Sequence, residues 1–218
     1  MVKAPPPARF AGTPLLHPLP VGTRLWRVHD RRVEPTAFTE RLADGNFGGG
    51  RFDATAHDPF PYYYAGLKAR TALAEVLLRD IVPDARGVRT IHRPAVRDRR
   101  SSVVRTTTGL KLVSLLTGPA LAAIAQDTWL IHADTEDYHA TRRWASWIRR
   151  QAPDAHGLIW PSKREGRAEA LMLFGDRCEG VLEVDSSSVI DLDDVVGAEW
   201  INALLAPYRA WISHPRRR

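Results

Sequence analysis

Short β-branched or aromatic runs and amphipathic stretches interleave irregularly along this chain, without the regular strand–helix–strand repeat of a doubly wound parallel sheet. Leu25–His29 alternates apolar and basic residues and reads as the first strand. Pro35–Leu42 reads as a short helix with proline in its first turn, and Asp44–Gly50 as loop. Phe60–Ala65 is an aromatic strand interrupted by Pro61, and Lys68–Asp80 is a helix with Leu73, Val76 and Leu77 on one face. Gly87–Leu116 predicts two or three strands with a hairpin near Thr108-Gly109. Helices follow at Pro119–Gln126 and Asp137–Gln151, then strands at Gly157–Ser162, Ala170–Phe174 and Val181–Val184, and a terminal amphipathic helix at Ala198–Trp211. The fold class this order permits is α+β, a mixed β core with flanking helices.

At 218 residues the chain suits one domain with a sizeable core. No apolar run reaches the ~20 residues of a membrane helix, and Met1–Pro7 lacks the apolar centre of a signal peptide, so the cytoplasm is the expected address. Six prolines before Val21 predict an extended leader, poor in hydrogen bonds, over residues 1–20. The net charge of +6 favours an anionic partner, but its densest cluster is the terminal His214–Arg218, which reads as a solvated tail. One cysteine, Cys178, excludes an internal disulfide and reads as an inert thiol. The histidines show no metal-ligand spacing, and Asp191-Leu192-Asp193-Asp194 lacks the rest of a calcium loop, so no metal is expected.

The chemistry-bearing residues cluster between Leu25 and Glu75. Gly48-Gly49-Gly50-Arg51 offers backbone N–H groups and a planar fork of donors to a phosphate or carboxylate; without such a ligand it is a flexible loop with a surface arginine. It matches neither phosphate-loop nor dinucleotide fingerprints. Glu75 stands alone in an apolar helical run, so it is either solvated at the edge of that face or buried with a partner, for which Arg27 and Arg51 are the candidates. Ser162 follows Pro161 at a strand end, where its hydroxyl can meet a cleft or cap a turn; no relay of the G-x-S-x-G type accompanies it. Trp144, Trp147 and Trp160 are expected near the pocket wall.

In this order the motifs resemble the RES domain family, named for its arginine, glutamate and serine. The resemblance runs from Leu25-Trp26-Arg27-Val28 through Gly49-Gly50-Arg51-Phe52-Asp53, Tyr64-Ala65-Gly66 and Ala72-Leu73-Ala74-Glu75 to the Tyr138–Trp144 helix and Trp160-Pro161-Ser162. It implies an ADP-ribosyltransferase-like core over residues 21–212, between the leader and a basic tail at 213–218. It implies a toxin of a bacterial toxin–antitoxin pair that degrades NAD+ at the nicotinamide–ribose bond, by phosphorolysis or hydrolysis. NAD+ would be substrate rather than cofactor, with inorganic phosphate as a co-substrate.

The implied partner is a cognate antitoxin with an Xre-like helix-turn-helix; a homodimer is open, and neither membrane nor direct nucleic-acid binding is expected. The alternatives are a mono-ADP-ribosyltransferase acting on protein and, from another class, a basic nucleic-acid-binding factor. Carried over by position, the catalytic set is Arg27, Arg51, Glu75 and Ser162, with Tyr64, Gly49 and Gly50 binding substrate. In those roles Glu75 holds the nicotinamide-side ribose, Arg27 and Arg51 take the pyrophosphate or attacking phosphate, Tyr64 lines the nicotinamide site, and Ser162 bonds the ribose or nicotinamide end. The chain departs from compact members in its leader and in a longer stretch between Glu75 and Ser162.

Overall fold

A computed structural model describes residues 4–43 and 48–215, apart from the side chains of Ser186 and Ser187. The first part of the expected loop, 44–47, and the tail residues 216–218 lie outside the described residues. The strands are β1 (Leu16–Leu19), β2 (Arg24–Asp30), β3 (Tyr62–Gly66), β4 (Arg89–Ile91), β5 (Arg99–Thr106), β6 (Leu110–Ser114), β7 (Gly157–Pro161), β8 (Glu169–Phe174), β9 (Leu182–Asp191) and β10 (Ala210–Ile212). The helices are α1 (Ala69–Leu77), α2 (Gly118–Ala122), α3 (Trp129–His132), α4 (Tyr138–Gln151) and α5 (Val195–Leu205). This is the α+β fold expected from the order of elements.

Eight strands form one mixed sheet in the order β1-β6-β7-β8-β3-β2-β5-β9, and β10 pairs with β4 beside it. In that order β5 and β6 stand five strand spacings apart, about 24 Å if the sheet were flat. Yet only residues 107–109 join them, a link that reaches about 15 Å at most. The sheet therefore curls until its two ends approach. Leu19, Leu25, Val104, Leu110, Ile159 and Leu171 fill the concave side. On the opposite side Val113, Leu158, Trp160 and Met172 pack with Trp144 and Ile148 of α4, and a third apolar cluster joins α1 and α5 through Leu73, Leu77, Ile201 and Leu205.

Four sequence readings are corrected here. The hairpin near Thr108-Gly109 is instead the link between the two ends of the curl, since β5 pairs with β2 and β9 and β6 with β1 and β7. Pro35–Leu42 is not a helix: the carbonyls of Pro35 and Ala37, which a helix would need, accept hydrogen bonds from the Arg27 guanidinium at 3.0 and 2.5 Å. The terminal helix stops at Leu205, and past Pro207 and a left-handed Arg209 (φ 51°) the chain becomes β10, parallel to β4. The leader is not poor in hydrogen bonds. Its residues Leu16–Leu19 pair with β6 as an edge strand, and Trp144 and Trp147 donate their indole N–H groups to the carbonyls of Ala4 and Pro7 at 3.1 Å. Those two tryptophans thus fasten the leader to α4, with Phe10 edge-on to Trp147.

Cys178 is buried, and burial together with the nearby Asp176 pushes its thiol up to about 12, which fits the inert reading. Gly157 opens β7, where a β-carbon would stand 2.0 Å from the Met172 carbonyl oxygen on β8. The backbones meet there without room for a side chain. Gly157→Ala is expected to cost about 3 kcal/mol or more in urea unfolding, or to abolish soluble accumulation.

Candidate functional site

The face of β2 that carries Trp26 and Val28 meets α1, whose Ala72, Glu75 and Val76 fall on one side at helical spacing. Tyr64 and Ala65 of β3, Trp160 of β7 and Ala170 of β8 complete a small cleft of about 50 Å³. Its wall is aromatic and aliphatic. Among the described residues, Glu75 is the one carboxylate in it.

Glu75 gains its fixed orientation from across the sheet, where the Ser162 hydroxyl just beyond β7 donates to Glu75 Oε1 at 2.7 Å. The same Ser162 oxygen accepts the N–H groups of Arg164 and Glu165 at 3.3 and 3.4 Å, and the residue is 1% exposed. Its hydroxyl is therefore occupied on both sides. In place of the expected partners Arg27 and Arg51, Glu75 is met by a serine, and Ser162, for which a ligand contact is expected, donates to Glu75. The other carboxylate oxygen takes no hydrogen bond from the described residues and remains for a ligand hydroxyl or a developing cation.

The loop after Ser162 is held by a second carboxylate. Glu165, its side chain 3% exposed, accepts from Arg70 Nε at 2.6 Å and from the Thr71 hydroxyl at the start of α1. Burial alone would raise its pKa, but hydrogen bonds from Thr71, Tyr208 and Arg70 hold it below the ordinary glutamate value. Glu165 thereby ties the Ser162 turn to the helix that carries Glu75.

Arg27 does not reach the cleft. On β2 it alternates with Trp26 and Val28, so it points to the concave side of the sheet, 6% exposed, with its guanidinium over the Tyr63 ring at 4.3 Å and donating to the carbonyls of Glu34, Pro35 and Ala37. Burial pulls its pKa below the usual arginine value, opposed by Tyr63. Through Nη1 it holds segment 34–37 under the sheet.

The glycine loop also differs from a plain anion cradle. Gly50 donates its N–H to Asp53 Oδ2 at 2.7 Å, and a β-carbon on Gly50 would stand 2.6 Å from Asp53 and 2.9 Å from the Tyr64 hydroxyl. The carbonyls of Gly48 and Gly50 accept from Arg142, and that of Gly49 from Arg79. Arg142, 1% exposed on α4, was not singled out from the sequence, although its place on the apolar face of that helix marks it as buried and paired. Tyr64 lines the cleft with its ring, while its hydroxyl accepts the Phe52 N–H at 3.0 Å; burial and the neighbouring Asp53 raise its pKa well above the ordinary tyrosine value.

Arg51 is not in the cleft wall; 6% exposed, it has the Phe52 and Tyr138 rings at 5.8 and 5.7 Å, and Phe52 in turn packs edge-on at 5.0 Å against Trp160 of the wall. Its Nε has no partner among the described residues. Asp134, held below the ordinary aspartate value first by its Lys163 hydrogen bond and further by Arg164 and Arg51, marks this rim of the cleft as cationic. Trp160 is at the cleft as expected; Trp144 and Trp147 are not, being packed under the leader. A larger groove of about 930 Å³ lies between the leader and α4, but it shares no residue with the Glu75 cleft.

A model of the RES domain matches residues 24–193. The chain belongs to the RES domain family. At the level of fold, this RES chain is similar to a chain of the M. tuberculosis MbcT–MbcA toxin–antitoxin complex, with a TM-score of 0.56 and 18% identity over 88% of this chain and 91% of that one. No curated protein matches it. The matched region contains Arg27, Arg51, Glu75 and Ser162, and of these the structure joins Glu75 to Ser162 directly, sets Arg51 alongside and leaves Arg27 on the other face.

Arg27→Leu is expected to lower stability by about 2–4 kcal/mol in chemical unfolding, because three backbone carbonyls lose a buried donor. Because the folded pKa of Glu165 is depressed, its contribution is present above the unfolded value of ~4.3 and lost as pH falls through the folded one. The stability gap between wild type and Glu165→Gln should accordingly be widest near neutrality and shrink as unfolding is measured at progressively more acid pH.

Proposed function

We propose that this RES protein is an enzyme that breaks the nicotinamide–ribose bond of NAD+ and passes the ADP-ribosyl group to phosphate or water. The observation that carries this reading is Glu75, fixed by Ser162 and presenting its second oxygen to an aromatic cleft with Arg51 at its edge. As the bond from C1′ to the pyridinium nitrogen breaks, its electron pair leaves with nicotinamide, which departs neutral, and cationic character grows on the ribose. A carboxylate beside that carbon stabilises the cation. A new C1′–O bond to phosphate or water completes the exchange, water losing a proton. Since the leaving group needs no protonation, a strong general acid is not required.

Arg51, buried and cationic, suits the attacking phosphate or a phosphate of the substrate. Trp160 and Tyr64 supply apolar faces for a ring. Ligand sites commonly exceed ~300 Å³, so a cleft of about 50 Å³ has to widen at its lining side chains on binding. The fold-level likeness to a toxin–antitoxin complex and the family resemblance support a toxin role in the cytoplasm and a cognate antitoxin, with an Xre-like helix-turn-helix, as partner.

Incubation of purified protein with NAD+, with and without phosphate, followed by mass identification of products, tests the reading. Free nicotinamide with ADP-ribose 1″-phosphate or ADP-ribose is expected, and Glu75→Gln should release nicotinamide at least about 100-fold more slowly at an unchanged melting temperature. Undiminished turnover in that variant, or label from NAD+ appearing on a polypeptide, would replace this assignment.

A further inference from the structure

Two arginines that neither the sequence motifs nor the cleft wall includes converge at the far end of the site. Arg79 lies four residues after Glu75, in the turn that follows the last helical residue, Leu77. Arg99 opens β5, where it pairs in register with Asp30; the neighbouring pairs Val28 with Ser101 and Trp26 with Val103 put Arg99 on the same sheet face as the two cleft residues of β2. The two guanidinium groups are close enough that Arg79 lowers the pKa of Arg99, after the larger effect of burial and against the pull of Asp30.

Neither cation is neutralised by a strong pairing. The Arg99 guanidinium has no hydrogen-bond or ion-pair partner among the described residues. Asp30, the acid nearest to it in register, is held by Arg32 through Nε at 2.9 Å and Nη2 at 2.6 Å. Arg79 makes two long contacts of 3.3 Å, to Asp80 and to the Gly49 carbonyl. Arg164 closes the third side, donating to the Arg79 carbonyl at 2.5 Å while its own Nε is buried without a partner. Holding like charges together at a partly buried spot is unfavourable unless an anion joins them.

We infer that Arg79 and Arg99, flanked by Arg164, form a phosphate-binding site at the Val28 end of the cleft, which receives the diphosphate of a nucleotide whose ribose lies at Glu75. Position supports this, because Arg99 stands at the next same-face pair beyond the cleft residue Val28, and Arg79 follows directly on the helix that carries Glu75. Arginine is suited to the task, since its fork of donors matches phosphate oxygens in pairs. The identity of the ligand rests on the NAD+ reading above; the anion site itself does not. Arg27, assigned to phosphate from the motifs, is thereby replaced by residues that only the fold brings together.

Calorimetric titration of the full chain with ADP-ribose, inorganic pyrophosphate and adenosine tests the site. Wild type should bind ADP-ribose and pyrophosphate, and Arg79→Gln and Arg99→Gln should each weaken both by about tenfold or more, without changing binding of adenosine, which carries no phosphate. In turnover the same variants should raise KM for NAD+ with a much smaller change in kcat. Arg79 is 40% exposed at its side chain, so its variant keeps the test open if Arg99→Gln does not fold. Wild-type affinity for both phosphate ligands in Arg79→Gln overturns the proposal. Arginine-dependent pyrophosphate binding by a protein that leaves NAD+ intact overturns the NAD+ reading and keeps the site; NAD+ cleavage at wild-type KM in the variants does the reverse.

Discussion

The short link between β5 and β6 governs this molecule. Because residues 107–109 cannot span a flat sheet, the eight strands must curl, and the curl gives the sheet a concave inside and a convex outside with different tasks. Arg27 and Tyr63 lie on the inside, where they hold loop backbone, whereas Trp26, Tyr64 and Trp160 lie on the outside, where α1 presents Glu75. Strand alternation alone then separates Arg27 from the glutamate with which it shares a family signature.

The arginines of this site divide by what their donors meet. Arg142 spreads Nε, Nη1 and Nη2 over main-chain carbonyls of the glycine loop and Ala43, whereas Arg27 holds the carbonyls of segment 34–37 through Nη1. Arg51, Arg79, Arg99 and Arg164 stand at the rim with donors unmet or weakly met among the described residues. A signature arginine can thus belong to the scaffold, and recognition can fall to arginines that no short motif contains.

Much of the fold was legible in the residues. The helix at Tyr138–Gln151 and the strand around Trp26 follow from periodicity, while the strands around Tyr64, Ile159 and Leu171 follow from short aromatic or apolar runs that the sheet buries on both faces. Pro35–Leu42 was misread because its fate depends on Arg27, close in sequence but reaching it from a separate strand, and local propensity carries no trace of that contact. The terminal helix was extended too far because Ala210–Ile212 is apolar enough for either state, and only pairing with β4 decides it. Within the site, the family motif assigns Glu75 and Ser162 to one pocket, but the hydrogen bond between them, with serine serving glutamate, is set by the turn at 162–165 and not by any sequence spacing. Arg99 was invisible as a site residue because register, not spacing, sets its position.

The buried thiol has a practical consequence. Cys178 is the sequence's one cysteine, enclosed beneath the sheet and held protonated far above neutral pH, so a cysteine placed on the surface would be the one thiol open to alkylating dyes. A fluorophore attached on the rim of the Glu75 cleft, with a second on a binding partner, would report the opening of the cleft and the approach of that partner in native protein, without first stripping reactive groups from the chain.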